Sequence, residues 1–292
     1  MKLFLRGQSR MKNIKTTYSE ITLTQETKFK LARLHDNQLE LIKLLDSLLI
    51  PNATYKVNSN GYHIQKFLNW LIYGGDLPYS VFQIGNSKLP FLSFSNLPVI
   101  NCVGAGECLN YCYSLKAWRY PAAFFRQLQN TILMSQFHII ERELEKVITS
   151  NKFKNVPKID FRLYVDGDFN TTEHLTNWMQ LLKNNSRVNA YGYSKSLNVF
   201  KDLINSKYKF PSNYVLNLSN GGKFDYLKPI LQKQSFVRGN FTAVKGTKKT
   251  IRKQFKKKIF ICPGLCGSCT SIGHACGNNE TFKNIEIVIP IH

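Results

Sequence analysis

The spacing of apolar residues in the first part of the chain is helical. Leucines recur every three or four residues over 25–49, which predicts one amphipathic helix with a core-facing side. Thr24 is suited to cap the start of this helix, and Pro51 ends it. A second, shorter helix is predicted over residues 62–72. We therefore predict a helical N-terminal extension over residues 1–78.

After residue 78 the pattern changes to strands that alternate with helical segments. Short strands are predicted within 79–100, and a long helical stretch covers 115–150, with Pro121 suited to a first helical turn. Further strands are predicted at 158–165, 187–193, 214–218, 235–237, 240–244 and 259–261, with helices between them at 172–183, 197–206 and 224–232. Such alternation is typical of parallel βα units. The predicted fold class is therefore α/β, with repeated βα units forming a full or partial parallel barrel of the TIM type over residues 79–292.

Three cysteines crowd into the loop that joins the short strands to the helical stretch. Cys102, Cys108 and Cys112 follow a C-x5-C-x3-C spacing, with small residues between the first two and Tyr111 before the third. A loop between a strand and a helix can wrap a metal, so the three thiolates can converge on a metal ion or an iron–sulfur cluster. Three buried, unliganded cysteines are the alternative. Their crowding favours metal or cluster binding within residues 97–113.

A second cysteine group lies within residues 262–277. Cys262, Cys266 and Cys269 follow a C-x3-C-x2-C spacing, and Cys276 follows Cys269 after six intervening residues. Four thiolates at such spacing can complete a tetrahedral zinc site or hold a second cluster, and His274 could replace one of them. We expect a structural rather than a catalytic centre, because too little chain follows Cys276 to build a barrel around a substrate.

Composition allows a large buried core, since 43% of the residues are hydrophobic. No apolar run reaches the length of about 18 residues that a transmembrane helix needs, so we expect no membrane partner. The seven cysteines fall into two tight groups instead of being spread over loops as a disulfide framework. We therefore expect a reducing compartment, either the cytoplasm of a host cell or an organelle matrix or stroma.

The chain is strongly basic, with a formal net charge of +22. Residues 245–258 contain eight lysines or arginines and no acid, among them Lys253, Lys256, Lys257 and Lys258. Such a segment can contact the phosphates of DNA or RNA without reading sequence. It can equally be a solvated basic loop, and an AT-rich genome would enrich lysine without selection on protein function.

These motifs occur in an order that resembles the phage and plasmid family called gene product 88. The resemblance covers about residues 90–280. The matching residues are Cys102, Cys108, Cys112 and Tyr113, residues 116–120, Asn130, residues 161–169, Trp178, residues 191–196 and the C-terminal cysteines. This family pattern is similar to a divergent radical-SAM barrel, in which three cysteines hold a 4Fe-4S cluster with one iron left open. The usual spacing there is C-x3-C-x2-C.

That resemblance also implies a cofactor site after the strand predicted at 158–165. Gly167-Asp168-Phe169 takes the place of the Gly-Gly-Glu motif, which holds the methionyl amine of S-adenosylmethionine. Gly167 and Asp168 are therefore implied to bind this cofactor. From the residues alone, Asp168 can also be a turn or helix-capping residue beside Gly167.

Two functions of different class follow from these observations. The first is an iron–sulfur enzyme of the radical-SAM type, acting on a small-molecule substrate that the motifs do not specify. The second is a zinc-containing, non-catalytic nucleic-acid-binding protein, in which all the cysteines are structural and the basic segment contacts phosphates.

Overall fold

A computed structural model of the protein describes residues 17–291. The α-helices are α1 Gln25–Arg33, α2 Gln38–Ser47, α3 Asn60–Tyr73, α4 Pro121–Leu133, α5 Phe137–Ile148, α6 Thr172–Asn184, α7 Leu197–Asn205, α8 Lys228–Leu231 and α9 Lys248–Gln254. The strands are β1 Gln83–Ile84, β2 Leu92–Ser93, β3 Ile159–Leu163, β4 Val188–Ser194, β5 Tyr214–Ser219, β6 Val237–Lys245, β7 Ile259–Ile261 and β8 Glu286–Ile291. Short 3-10 helices cover Glu107–Tyr111, Tyr113–Arg119, Met134–Gln136, Asp225–Leu227 and Ala275–Gly277.

The strands form one eight-stranded, mostly parallel sheet in the order β1-β2-β3-β4-β5-β6-β8-β7. β1 and β2 are antiparallel, and every other neighbouring pair is parallel. Helices α6 and α7 connect β3 to β4 and β4 to β5, as parallel neighbours require. The α/β class is therefore confirmed. Within residues 17–291, the sheet ends at β1 and β7, with no ladder between these two strands.

One face of the sheet packs against helices. On β3, Ile159, Phe161 and Leu163 are buried, and they join one hydrophobic cluster with the apolar sides of α5, α6 and α7. Trp178 of α6 is fully buried at the centre of this cluster, against Phe161. Side chains alternate along a strand, so Arg162 and its neighbours on β4 point to the opposite side, called here the inner face.

The inner face is covered by residues 262–277, called here the C-terminal cysteine segment. Ala275 and Cys276 pack with Tyr191 of β4 in a separate cluster. At one end of the segment the Cys262 amide donates to the Val288 carbonyl of β8, 2.8 Å away. The Cys266 amide donates to the Lys88 carbonyl between β1 and β2, at 2.9 Å. The segment therefore reaches from one edge of the sheet towards the other.

The N-terminal helices pack on the chain that follows the first cysteine group. Buried leucines of α1, α2 and α3 form a second hydrophobic cluster with Trp118 and the buried side of α4. The Lys28 ammonium donates to the Trp118 carbonyl at 2.6 Å, and the Phe29 ring lies 4.9 Å from that of Trp118. Residues 1–16 of the predicted extension lie outside the described residues.

Two helical predictions differ from the structure in their continuity. The helix predicted over 25–49 is two helices, because the chain turns after α1 and Asn37 caps α2 by accepting from the Glu40 amide. The stretch predicted over 115–150 begins as a 3-10 helix, and α4 starts only at Pro121. A proline disfavours helical geometry in the residue before it, here Tyr120, which is extended.

At the C-terminal end, two elements differ from the sequence analysis. β8 lies after Cys276, where no element was predicted, and it inserts between β6 and β7. Part of the basic segment is the helix α9, capped by Thr247, with Ile251 buried beneath it. Within residues 17–291, the helices are too short or too polar to cross a bilayer.

Candidate metal and cofactor site

Residues 101–113, called here the cysteine loop, lie across the carboxyl ends of β4 and β5. Ala105 forms a bridge with Gly222 after β5, and the Lys223 amide donates to the Gly104 carbonyl at 3.0 Å. A Cβ atom at Gly104 would overlap the Lys195 carbonyl after β4, so only glycine permits this approach. The cysteine loop therefore lies at the edge of the sheet where parallel α/β proteins bind their ligands.

The cysteine loop brings its three thiols together in a water-poor environment. Cys102, Cys108 and Cys112 are partly buried and none forms a disulfide. Burial raises the pKa of Cys102, and the nearby Asp168, Cys112 and Cys108 raise it further. Burial also raises the pKa of Cys112, against the smaller opposing effect of the amides of Leu115 and Ser114. Burial therefore favours the protonated forms of the Cys102 and Cys112 thiols, and both lie near Cys108.

The separation of the free thiols is not that of a formed metal site. Over the described residues, no set of three or more His, Cys, Asp or Glu side chains is arranged to hold a metal ion. The donor set itself fits a cluster or zinc, since thiolates are the preferred ligands of both. Metal binding must displace the thiol protons. The positive charge of the metal would favour the thiolate form and so oppose the effect of burial on the pKa of Cys102 and Cys112.

Gly167 and Asp168 follow β3 at the same carboxyl edge. Gly167 has a φ of 81°, and a side chain there would collide with Asn96, so glycine is required. The Asp168 carboxylate is 4% exposed and accepts four hydrogen bonds. Oδ1 accepts from the Ser194 hydroxyl at 2.7 Å and the Phe169 amide at 2.8 Å; Oδ2 accepts from the amides of Lys195 at 2.9 Å and Ser196 at 3.2 Å.

Asp168 therefore fixes the junction between β4 and α7 below the cysteine loop. Burial raises the pKa of its carboxyl group, and the four donors oppose that effect. The Asp168 carboxylate lies close enough to Cys102 to raise the pKa of its thiol. Each oxygen of the Asp168 carboxylate accepts two hydrogen bonds from the protein. This arrangement agrees with the alternative that Asp168 is a turn residue. Contact between Asp168 and a cofactor stays a prediction.

Polar residues buried on α4 support the cysteine loop and were not identified from the sequence. Thr131 accepts from the Leu97 amide and the Asn101 side chain, both at 3.0 Å. Gln127 accepts from the Trp118 indole at 2.7 Å and donates to Asp166 at 3.0 Å. The sequence feature that could have identified these residues is a run of polar side chains on the apolar side of α4. Buried polar atoms need hydrogen-bond partners, so such a run predicts contacts with neighbouring segments.

The second cysteine group lies on the inner face, within one cluster that includes Cys262, Cys269, Cys276 and Tyr193. Burial raises the pKa of Cys276 to about 12, and Cys262 adds to that increase. Burial also raises the pKa of Cys262, and Cys266 and Cys269 raise it further. The four predicted ligands are therefore neighbours in the structure as well as in the sequence.

The basic segment presents most of its cations to solvent. Lys253, Lys256 and Lys258 are exposed, as predicted for either a phosphate-contacting surface or a solvated one. Lys257 differs, because its ammonium forms a 2.6 Å ion pair with Glu286, whose side chain is 7% exposed. Lys257 is thus tied to the start of β8, and the four lysines are not equivalent.

The family comparison covers both candidate regions. A family model described as Gene product 88 matches residues 70–271, which include the cysteine loop, Gly167, Asp168 and the first three C-terminal cysteines. Comparisons with curated proteins and with solved structures found no match. Because the family match spans more than half of the chain, the protein belongs to the gene product 88 family.

Proposed function

We propose that the protein is an iron–sulfur protein in which Cys102, Cys108 and Cys112 hold a 4Fe-4S cluster, and that it is an enzyme similar to the radical-SAM type. The observation that carries this proposal is the position of the cysteine loop. The loop carries three partly buried thiols over the carboxyl ends of β4 and β5, beside Asp168. They lie close enough that Cys108 and Cys112 raise the pKa of Cys102. Clefts at this edge are where open parallel sheets bind their ligands.

The chain itself would contribute binding, orientation and exclusion of water. A cluster held by three thiolates supplies one iron that is open to a further ligand. Asp168 orders the β4–α7 junction, and the Lys195 ammonium is held there by the Ser219 hydroxyl at 2.6 Å. Gly104 and Gly167 let the loops approach this junction closely. These groups would position a bound S-adenosylmethionine or substrate; we infer no specific substrate.

The barrel interpretation belongs to the same proposal. The order β2 to β6 follows the chain, as in a barrel built from successive βα units. The C-terminal cysteine segment reaches from β8 to the β1–β2 hairpin across the inner face. We infer a partial parallel barrel whose open side is crossed by this segment, with a second metal centre formed by its four cysteines.

A zinc-containing nucleic-acid-binding protein is the second candidate. The observation that favours it is the exposed basic surface of Lys253, Lys256 and Lys258, next to the C-terminal cysteines. Phosphate contacts by such a surface would need no catalysis. The two candidates differ in the metal at the cysteine loop, which is iron with sulfide in the first and zinc in the second.

Metal and sulfide analysis after anaerobic purification tests the proposal. We expect a brown protein that contains iron and acid-labile sulfide. Single Cys102→Ala, Cys108→Ala and Cys112→Ala variants should each lose most of the iron of this site, because three ligands leave none to spare. Leu109→Ala, an exposed change in the same loop, should keep the full iron content.

Two results would count against the cluster at this loop. Full iron content in two of the three alanine variants would show that the cysteines are not one ligand set. A colourless, zinc-loaded wild type that gains no iron and sulfide on anaerobic reconstitution would instead support the second candidate.

A further inference from the structure

Two arginines on the inner face lack a carboxylate partner: Arg238 is fully buried and Arg162 is partly buried. Arg238 of β6 is 0% exposed, and its guanidinium donates only to neutral oxygens: Asn217 Oδ1 at 2.5 Å, and the carbonyls of Asn240 at 2.8 Å, Phe282 at 3.2 Å and Ile285. Arg162 of β3 stacks its guanidinium 5.0 Å from the Tyr193 ring centre, and its buried Nε has no hydrogen-bond partner.

The nearest carboxylates do not neutralise these two cations. In the part of the chain that the structure describes, neither arginine forms an ion pair. Asp166 attracts Arg162 from beyond ion-pair distance and accepts from Gln127. Glu286 attracts Arg238 and is paired with Lys257. A buried guanidinium stays charged, so leaving it unpaired costs free energy unless an anion is close by.

Both arginines face the C-terminal cysteines. Tyr193, which lies under Arg162, packs in one cluster with Cys262, Cys269 and Cys276. Asn217 links Arg238 to the Cys276 backbone, since its side-chain amide donates to the Cys276 carbonyl at 3.0 Å. The charge of Arg162 lowers the pKa of Cys262 and of Cys276, against the larger raising effect of burial.

One ring nitrogen of His274 already has a hydrogen-bond partner within the protein, which favours the four cysteines over His274 as metal ligands. Its Nδ1 accepts from the Gly277 amide at 3.1 Å, and its Nε2 lies 3.6 Å from Asp160 Oδ1. Backbone amides instead point at the sulfurs: Gly264 donates to Cys262 Sγ at 3.4 Å and Ala275 to Cys269 Sγ at 3.3 Å. Such N–H donors stabilise thiolates.

We propose that Cys262, Cys266, Cys269 and Cys276 bind one metal centre as four thiolates, and that Arg162 and Arg238 are its counter-charges. A divalent zinc ion held by four thiolates keeps a net negative charge, which these two guanidinium groups would compensate. This inference rests on the second centre of the proposed function and is independent of the cluster at the cysteine loop.

The test compares Arg162→Met with wild type in zinc affinity and in stability. Zn²⁺ affinity of the reduced, metal-free full chain is measured by competition with a chromophoric chelator, and Cys276→Ser identifies which binding event belongs to this site. Loss of a group that supports metal ligands typically lowers affinity ten- to hundredfold, and we expect a decrease of about that size for Arg162→Met. Arg162→Lys should restore part of it.

The stability of the metal-free chain should respond differently. Within residues 17–291, the buried Arg162 Nε has no hydrogen-bond partner, so Met should leave the melting temperature of the metal-free chain unchanged or higher. Arg187→Met is the matched control, because the Arg187 guanidinium donates to the carbonyls of Ile148, Phe153 and Lys154. It should lower the melting temperature and leave zinc affinity unchanged.

The outcomes separate this inference from the proposed function. Wild-type zinc affinity in Arg162→Met would overturn the counter-charge role. A Co²⁺ spectrum with fewer than four thiolates at the site, or a Cys276→Ser variant that loses no bound metal, would overturn the ligand set. Absence of iron and sulfide from the cysteine loop, with the zinc site intact, would sink the proposed function and leave this inference standing.

Discussion

At the scale of single residues, the Asp168 carboxylate connects two parts of the chain that are far apart in the sequence. Asp168 is conspicuous in the sequence because a carboxylate follows a predicted strand and a glycine. Its four donors come from its own turn and from the β4–α7 junction, a part of the chain more than twenty residues away. No local pattern encodes such a long-range contact, so its positioning role emerges only from the fold.

Asp168→Asn tests that positioning role. One acceptor oxygen becomes an amide that meets two donors, so two buried hydrogen bonds are lost, and we expect the free energy of unfolding to fall by about 3 kcal/mol. Urea denaturation measures the change. Asp46→Asn, an exposed change on α2, should stay within about 0.5 kcal/mol of wild type. A normal stability with weakened S-adenosylmethionine binding would instead indicate that Asp168 contacts the cofactor.

At the scale of elements, local signals predicted helix starts and central strands well. Thr24 caps α1 by accepting from the Thr27 amide, and Pro121 opens α4. β3, β4 and β5 lie within two residues of their predicted bounds, because each combines buried apolar residues at alternate positions with turn residues at its ends. β8 was missed, since a short apolar run that contains Pro290 resembles a non-strand segment.

The basic segment also illustrates a limit of local patterns, because its eight cations look alike in the sequence. If the exposed cations contact phosphates, affinity for duplex DNA must fall with salt at a log–log slope of about −0.9 per contact. Lys253→Gln, Lys256→Gln and Lys258→Gln combined should flatten this slope and leave metal content unchanged. Filter binding across a salt series measures it, and a wild type that binds no DNA or RNA at low salt would exclude this function.

Lys257→Gln is the informative comparison within that segment. Its ammonium pairs with the nearly buried Glu286, so its loss should lower the free energy of unfolding by about 1 kcal/mol, discounted for the exposed lysine. The triple glutamine variant should leave stability unchanged. An equal effect of all four lysines on stability would contradict the distinction drawn from the ion pair.

At the scale of the whole molecule, the helical extension is packed against the chain that carries the cysteine loop. The amphipathic leucine pattern predicted a core-facing side but gave no information about its partner. The structure supplies the partner: one cluster joins α1, α2 and α3 to Trp118 and α4. The family match begins at residue 70, so much of this packing surface comes from chain outside the matched region.

This packing predicts that the extension and the α/β region unfold together. Leu31 is 0% exposed in the shared cluster, so Leu31→Ala should lower the free energy of unfolding by about 3 kcal/mol. Far-ultraviolet circular dichroism and tryptophan fluorescence, measured in a Trp70→Phe background so that only Trp118 and Trp178 report, should give coincident transitions with and without Leu31→Ala. Leu39→Ala, at a site that is 63% exposed, is the matched control and should change the free energy of unfolding little.

If α1 to α3 formed an independent domain, Leu31→Ala would separate an early helical transition from the later fluorescence change. Coincidence is the expected result, because Trp118 lies at the contact between α1 and the chain that follows the cysteine loop.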